Sequence, residues 1–169
     1  GYTVSYSLYA NKLYSDENTL VEGVGGSTEV AVLENGESAT TALTIQVPNP
    51  NKWSAEYPYR YTLVGELKDK KGRVVESFST ALGFCKVEIK DTPADKDEFG
   101  LAGRYYYVNG KTVKLKGVNR QEINPEVGNA ISHEQMEEEI MLMKRGNINH
   151  VRNSHYSCEP YWYYLCDKY

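Results

Sequence analysis

The alternation of apolar and polar positions divides the chain into two parts. In residues 1–90, apolar side chains alternate with polar ones over short stretches that are separated by Gly, Pro and Asn. This alternation predicts β-strands with one buried face. The predicted strands are residues 2–9, 28–33, 38–47, 59–68, 74–80 and 84–89. Short strands at regular spacing are typical of an antiparallel β-sandwich of immunoglobulin type, which normally has about seven strands.

The second part has a different periodicity, in which a strand and a helix alternate twice. A strand ending near Val118 precedes a helix that begins at Ser132, because Ser132 and Gln135 have the spacing of a capping box. A strand over residues 148–152 precedes a second helix that begins at Pro160, since proline favours the first helical position. Two consecutive strand–helix units predict parallel strands in an α/β sheet or barrel.

Two strand–helix units cannot close a barrel, which needs eight. The pattern alone leaves an α/β sheet and a barrel open. Taken as a barrel, it predicts a mixed architecture: an immunoglobulin-like antiparallel β-sandwich followed by a truncated start of a (β/α)8 TIM barrel. The sandwich is expected over residues 1–90, a charged linker over 91–100, and the two β/α units over 101–169. Asn109 and Gly110, between two short apolar stretches, predict a β-hairpin at the entry to the last segment.

Each predicted helix has one apolar stripe that we expect to be buried. The stripes comprise Met136, Ile140 and Met143 on the first helix, and Trp162, Leu165, Cys166 and Tyr169 on the second. Gly146 is expected to be the left-handed residue that terminates the first helix. The acidic run over residues 137–139 of that helix is predicted to be a solvated face.

Composition narrows the classes of function. The net charge of -4 gives no basic surplus for nucleic-acid binding. No apolar run approaches the roughly 20 residues that span a bilayer, so no membrane partner is expected. The three cysteines, Cys85, Cys158 and Cys166, are too few for a disulfide framework or a zinc site, and we predict that they are buried free thiols.

Polar clusters follow both predicted parallel strands. Asn119, Arg120, Gln121 and Glu122 come after the first strand, and residues 152–156 come after the second. Because the working residues of such barrels lie just past the C-terminal strand ends, both clusters are expected on one rim. This coincidence is the strongest site signal that the residues give by themselves.

These polar side chains also have purely structural interpretations. The favoured interpretation of Arg120 and Glu122 is an ion pair near the rim. Arg152 either braces a catalytic carboxylate or caps neighbouring carbonyl groups. His155 either donates to a ligand hydroxyl or is a buried histidine with a satisfied hydrogen bond, and its position at a strand end favours the first.

Longer motifs resemble a known family. Residues 149–156 (N-H-V-R-N-S-H-Y), with residues 161–162 and 165–167 after them, resemble the first signature of glycoside hydrolase family two. Residues 117–122 resemble the end of that family's first barrel strand, and residues 53–58 (W-S-A-E-Y-P) resemble part of its sandwich domain. The resemblance covers essentially the whole chain, and within the family the motif sequences most resemble those of the bacterial β-galactosidases.

The resemblance implies retaining hydrolysis of terminal β-D-galactosides by a longer parent enzyme. It implies that His155 contacts the sugar and that Arg152 lies close to the nucleophile. Gln121 and Asn119 complete the predicted substrate-binding set. Other implications are a homo-oligomeric parent and a location in the bacterial cytoplasm, with the periplasm as the alternative.

The catalytic groups themselves are expected outside this segment. A retaining glycosidase needs two carboxylates about 5 Å apart. Glu122, Glu126 and Glu159 lie near the predicted rim, and none has an evident carboxylate partner. The resemblance implies that both catalytic glutamates and the main magnesium ligands come later in the parent, and that a sodium ligand comes from an earlier domain. We therefore expect no catalytic and no metal-binding residue here.

Three positions depart from the family pattern. Gln121 stands in place of a histidine, Ser157 in place of a proline and Cys85 in place of an arginine. Glutamine can hydrogen-bond hydroxyl groups, but it cannot carry a positive charge near pH 7, so the exact sugar stays open. The alternatives are a β-glucuronidase or β-mannosidase of the same family and, in a different class, a non-catalytic sandwich that serves as a binding or spacer module.

Overall fold

The computed structural model describes residues 1–97 and 99–169, which divide into two compact units. The first unit contains Gly1–Asn51 and Tyr59–Phe84, and the second contains Lys52–Pro58 and Cys85–Tyr169. The short segment Lys52–Pro58 thus interrupts the first unit along the chain but belongs to the second.

The first unit is built on four antiparallel strands. These are β1 (Tyr2–Asn11), β2 (Asn18–Val30), β3 (Tyr61–Lys68) and β4 (Val74–Leu82), and they form one sheet in the order β2-β1-β3-β4. The core comprises Leu8, Val24 and Tyr61, with Ala10, Val21, Ile45, Val47, Leu63, Leu82 and Phe84 packed around them. The antiparallel character that the period-two pattern predicts is therefore confirmed.

Strand β2 is longer than the sequence predicted because it runs through a glycine-rich stretch. The predicted strand began only at Thr28, after an expected break at residues 23–26. The register of β1 against β2 shifts between Ser7 and Tyr9, and Gly23 has a φ of 74°. Only glycine adopts that conformation without steric cost, and the irregularity lets β2 continue although five steps along it, from Gly25 to Leu20, oppose two steps along β1.

The strand predicted over residues 38–47 is wrong, because these residues are described and contain no strand. They nevertheless cover part of the first unit's core. Ile45 and Val47 pack against the buried cluster, and a Cβ atom on Gly26 would come within 3.0 Å of the Leu43 side chain. Burial of alternate apolar side chains therefore produced the period-two pattern without a ladder of strand hydrogen bonds.

The second unit begins with a three-stranded antiparallel sheet. Strands β5 (Val87–Thr92), β6 (Gly103–Val108) and β7 (Lys111–Thr112) are arranged in the order β5-β6-β7. Asn109 and Gly110 both have positive φ, 52° and 81°, as a two-residue type I′ turn requires, so the predicted hairpin is confirmed.

Strand β5 pairs with β6, so the strand predicted over residues 84–89 as part of the sandwich lies in the second unit instead. The predicted linker, residues 91–100, contains the end of β5 and a short 3-10 helix, Ala94–Lys96. It also contains Glu98, which lies outside the described residues. The domain limits 1–90, 91–100 and 101–169 stay a prediction.

Two parallel strands and two helices complete the second unit. Strand β8 (Gly117–Arg120) precedes helix α1 (His133–Arg145), and β9 (His150–Asn153) precedes α2 (Pro160–Lys168). Strands β8 and β9 are hydrogen-bonded in parallel. The predicted alternation of strand and helix is confirmed. Neither helix is long and apolar enough to cross a membrane, and the same holds across the described part of the chain.

The ends of the helices follow from local hydrogen bonds. The Ser132 hydroxyl accepts from the Gln135 amide at 3.2 Å, and the Gln135 side chain accepts from the Ser132 amide at 3.0 Å, which confirms the capping box. At the other end of α1, the left-handed residue is Asn147 and not the predicted Gly146. The amides of Asn147 and Ile148 donate to Lys144 and Met143 carbonyl groups, which is a Schellman motif with asparagine in glycine's usual place.

The helices bury the apolar stripes that the sequence predicts. Trp162, Met136 and Leu165 are almost completely buried, and Ile140 and Cys158 complete the cluster. The three cysteines are free, as predicted, but only Cys158 is fully buried, and the prediction of burial is wrong for the exposed Cys85. Burial raises the pKa of the Cys166 thiol to about 11, so this thiol stays protonated at neutral pH.

The segment Lys52–Pro58 contacts the C-terminal ends of both helices. The Trp53 indole N–H donates to the Asp167 carbonyl at 2.8 Å, and the Lys144 ammonium group donates to the Ala55 carbonyl at 2.8 Å. The Asn109 amide group also donates to the Trp53 carbonyl at 2.9 Å. A cation and an N–H donor near the last turns complement helix carbonyl groups that have no partner within the helix.

Candidate functional site

The register of the two parallel strands determines which side chains of the candidate site lie next to one another. Asn119 lies opposite Arg152, and Arg120 lies opposite Asn153, where both strands end. Successive side chains of a strand point to opposite faces of the sheet. Val151 packs against the helical core, so residues 118, 120, 151 and 153 form the helix face. Residues 117, 119, 150 and 152 form the opposite face, which we call the open face.

Three of the four predicted substrate-binding residues lie together on or beside the open face. Asn119 and Arg152 are exposed neighbours in the ladder, and His155 is exposed just beyond β9. The Arg152 guanidinium contacts the Ser154 hydroxyl through Nη1 at 3.2 Å and His155 Nδ1 through Nη2 at 3.2 Å. The peptide bond between Ser154 and His155 is cis.

The contact with Arg152 determines what His155 can offer a ligand. A guanidinium group only donates hydrogen bonds, so His155 Nδ1 must accept the bond from Arg152 Nη2. The proton of the neutral ring then lies on Nε2. The geometry therefore leaves an exposed Nε2–H that can donate to a ligand oxygen.

Gln121 is the fourth predicted contact, and it lies one residue beyond β8. Its side chain is exposed. Within the described chain, no hydrogen bond joins it to Arg152 or His155. The two residues on either side of it, Arg120 and Glu122, point into the protein and are largely buried.

Arg120, the last residue of β8, lies on the helix face. Its side chain is only 3% exposed, and it pairs with Glu139 at 2.7 Å and with Glu122 at 3.3 Å. The guanidinium carbon lies 3.9 Å from the centre of the Trp162 ring, and Nη1 is 3.4 Å from Cys158 Sγ. The Arg120–Glu122 ion pair interpreted from the sequence is confirmed.

Sequence reasoning missed the other partners of Arg120. The acidic run in α1 was predicted to be solvated, but Glu139 pairs with Arg120, and Glu137 accepts a hydrogen bond from the Tyr169 hydroxyl at 2.6 Å. Only Glu138 of that run is exposed as predicted. Glu139 is three residues after the buried Met136, and Glu137 is three residues before the buried Ile140. This helical spacing is the signal in the sequence that could have indicated that both carboxylates lie near the buried face of α1.

The loop that carries His155, residues 154–159, is held at both ends; we call it the rim loop. Its first amide, of Ser154, donates to the Arg120 carbonyl at 2.7 Å. Its last amide, of Glu159, donates to Glu122 Oε2 at 3.1 Å. Between them, the Cys158 amide donates to the Tyr163 hydroxyl at 3.1 Å. Neither Tyr163 nor Cys158 was among the predicted site residues.

The carboxylates near the rim serve structural contacts. Burial by itself would raise the pKa of Glu122, but the Glu159 amide, the Cys158 thiol and Arg120 donate to its carboxylate and leave the pKa lowered overall. Glu159 is the N-cap of α2 and accepts from the Tyr161 amide at 2.8 Å. The residues that the structure describes contain no group of three or more His, Cys, Asp or Glu side chains that could hold a metal ion. The magnesium and sodium ligands that the resemblance implies for other parts of a longer enzyme stay a prediction.

The second unit has parallel strand–helix units with a polar rim, and the chain also holds an antiparallel β-domain. This combination is typical of β/α-barrel proteins with accessory β-domains. The chain belongs to glycosyl hydrolase family 2. The model described as "Glycosyl hydrolases family 2" matches residues 1–84, and the model described as "Glycosyl hydrolases family 2, TIM barrel domain" matches residues 100–169. The predicted fold class, a sandwich domain followed by the start of a TIM barrel, is confirmed.

Related sequences agree with this assignment. A β-galactosidase from Pseudoalteromonas haloplanktis is 38% identical over 162 residues, which is 96% of this chain and 14% of that protein. A β-galactosidase from Psychromonas ingrahamii is 42% identical over 125 residues, which is 74% of this chain and 11% of that protein. The chain thus spans only a small part of the length of these relatives.

A solved structure agrees on the fold. A β-glucuronidase from Bacteroides uniformis superimposes with a TM-score of 0.77 at 22% identity, covering 99% of this chain and 18% of that chain. At this level of identity the likeness shows the shared architecture.

Proposed function

We propose that this chain is part of a retaining β-galactosidase that hydrolyses terminal β-D-galactosides. The observation that carries the proposal is the 38% identity with a β-galactosidase over 96% of the chain. The family membership supports the reaction class, and the identity of the sequence relatives supports the sugar. The chain would contribute the substrate side of the site, and not the groups that break the glycosidic bond.

The proposed contacts are divided among four side chains. His155 would donate its Nε2–H to a sugar hydroxyl, because Arg152 occupies Nδ1. Arg152 would hold the imidazole in that orientation. The amide groups of Asn119 and Gln121 can each donate and accept, which suits hydroxyl groups that do the same.

The chain by itself is expected to be inactive. Retention needs two carboxylates about 5 Å apart, one as acid and base and one as nucleophile. Glu122 and Glu159, the carboxylates near the rim loop, bond to the loop and to the first turn of α2. Incubation of the 169-residue chain with an aryl β-galactoside should therefore release no phenol, and turnover by the purified chain would contradict this division of roles.

The proposal is tested with the longer protein that contains this chain. Initial rates are measured on matched aryl β-galactoside, β-glucuronide and β-mannoside substrates. We expect the largest kcat/KM on the galactoside. A preference for the glucuronide or mannoside would overturn the sugar assignment, and turnover of none of the three would overturn the enzymatic function.

A substitution at His155 tests the role of that residue. Replacing His155→Asn should lower kcat/KM on the preferred substrate by roughly 10- to 100-fold, since a lost hydrogen-bond partner costs about 1–3 kcal/mol. His150→Asn is the matched control, because His150 lies at the opposite end of the same strand. Equal effects of the two changes would contradict a substrate contact at His155.

A further inference from the structure

The two ends of the rim loop are bonded to the same three-residue segment. Ser154 N–H donates to the carbonyl of Arg120, and Glu159 N–H donates to the carboxylate of Glu122. Arg120 and Glu122 flank Gln121 in the chain. The position of His155 in the rim loop and the position of Gln121 after β8 are therefore fixed by shared bonds.

The side chains of Arg120 and Glu122 also bond to each other and to the middle of the loop. They are 3.3 Å apart, and Nη1 of Arg120 lies 3.4 Å from Cys158 Sγ. Glu139 of α1 and the Trp162 ring of α2 hold the guanidinium from the other sides. Because the group is largely removed from water, these contacts are stronger than the same contacts at the surface.

The rim loop has three further contacts. One involves its backbone, since Cys158 N–H donates to the Tyr163 hydroxyl. The other two involve the side chains of Ser154 and His155, which bond to the exposed Arg152. Loss of the Glu122 carboxylate would release the Glu159 end of the loop and leave Arg120 with one carboxylate partner instead of two. The helical core of Met136, Trp162 and Leu165 would keep its packing.

We propose that Arg120 and Glu122 are positioning residues that hold His155 and Gln121 in register for substrate binding. They touch no substrate and act through the rim loop. This inference rests on the proposed function, because it assumes that His155 and Gln121 face a sugar. A contact displaced by about 1 Å can cost an enzyme up to about 100-fold in rate, so the loop's anchors matter even without touching the ligand.

The first measurement is hydrogen exchange on the 169-residue chain. Three variants are compared with the unaltered sequence: Glu122→Ala, Glu122→Gln and Glu138→Ala. In Glu122→Ala, amides of the rim loop should exchange faster, while amides of α2 around Trp162 and Leu165 keep their protection. Glu122→Gln should restore most of the loop's protection, since a side-chain amide oxygen can still accept from Glu159 N–H. Glu138 is an exposed glutamate of α1, so Glu138→Ala is the matched control and should change nothing.

The second measurement is steady-state kinetics of the same variants in the longer protein. Glu122→Ala should lower kcat/KM by roughly 10- to 100-fold, with a rise in KM as well as a fall in kcat. Glu122→Gln should recover most of that loss, and Glu138→Ala should equal the unaltered enzyme. Rescue by glutamine distinguishes positioning from a general requirement for the charged pair.

The two measurements separate the ways in which the inference can fail. Unchanged exchange in the rim loop of Glu122→Ala would overturn the positioning role, whatever the kinetics show. Faster exchange throughout α1 and α2, with activity falling only in proportion to the folded fraction and KM unchanged, would also overturn it, because Glu122 would then be merely structural. Absence of turnover in the unaltered longer protein would instead overturn the proposed function, and the exchange data would still decide whether Glu122 holds the loop.

Discussion

The two faces of the β8–β9 pair place the same residue type in opposite environments. Arg120, on the helix face, is buried between two carboxylates and the Trp162 ring. Arg152, one strand away on the open face, is exposed and bonds to Ser154 and His155. A single residue of offset in the strand alternation separates an arginine that stabilises the fold from one that is available to a ligand.

The two faces of this short pair of parallel strands have different roles. On the helix face, Val151 packs against the core of α1 and α2, and Arg120 pairs with two carboxylates. The open face has polar side chains at the strand ends, and the proposed substrate contacts lie there. Removal of a buried side chain on the helix face should therefore lower stability, whereas Arg152 at the end of the open face should matter little for stability. Both tryptophans of the chain, Trp53 and Trp162, lie in the second unit, so tryptophan fluorescence reports the unfolding of that unit.

The largest effect is expected from the core under the helix face. Leu165 is 0% exposed and Leu142 is 63% exposed, so Leu→Ala at each site makes the same chemical change in opposite environments. Leu165→Ala should lower the free energy of unfolding by about 2–5 kcal/mol. Leu142→Ala should stay within about 0.5 kcal/mol. Urea unfolding followed by tryptophan fluorescence measures both, and similar losses would mean that the helices do not bury their apolar stripe against this core.

The second effect contrasts the two arginines directly. Arg120→Met should destabilise the second unit by about 1.5–3 kcal/mol, because Glu122 and Glu139 lose a charged hydrogen-bond partner. Arg152→Met should change stability by no more than about 0.5 kcal/mol, since its side chain is exposed. The same urea titration compares them. A larger loss for Arg152→Met would reverse the assignment of the two faces.

A smaller effect is expected at the start of α1. Ser132→Ala removes the hydroxyl that accepts from the Gln135 amide and should cost about 1 kcal/mol. Ser132→Asp is the informative companion, because aspartate caps equally well and is favourable near a helix N-terminus. Thermal unfolding should rank Asp close to Ser and both above Ala. If alanine equals serine, the capping box contributes nothing to this unit.

The smallest effect concerns the pH dependence of the rim loop. The pKa of Glu122 is lowered in the folded chain, because hydrogen bonds from Glu159, Cys158 and Arg120 outweigh burial. A lowered folded pKa gives stability that is fully present above the unfolded value of about 4.3 and is lost as pH falls through the folded value. The stability difference between the unaltered chain and Glu122→Gln should therefore be constant near neutral pH and shrink at acidic pH. Parallel curves for the unaltered chain and Glu122→Gln would contradict a stabilising Glu122 carboxylate.

Local signals in the sequence were sufficient for the elements around the site. The capping box at Ser132, the proline at the start of α2 and the apolar stripes act within a few residues, so they could be predicted without the tertiary structure. The rim itself followed from the rule that parallel strands present their C-terminal ends on one side. The contact between Arg152 and His155 confirms that these two predicted residues lie together.

Other features depend on contacts that are distant in sequence. The pairing of Arg120 with Glu139 required the packing of α1 on β8, which periodicity does not give. The bulge at Gly23 and the irregular course of residues 38–47 depend on register against a neighbouring segment. A glycine-rich run therefore appeared to be a turn, and an apolar alternation appeared to be a strand. The sequence shows that glutamine replaces the family's usual histidine at Gln121. The rates on the three aryl substrates would show which sugar the longer protein prefers with this glutamine.

The segment Lys52–Pro58 makes this chain impossible to separate into its two units by a single cut. A fragment that starts at Cys85 would lack Trp53, which donates a hydrogen bond to the end of α2, and Ala55, which accepts one from the end of α1. A fragment that stops at Phe84 would carry those residues without the helices they contact. A chimaera with another protein would therefore have to exchange both units together, or rebuild the two contacts at the helix ends.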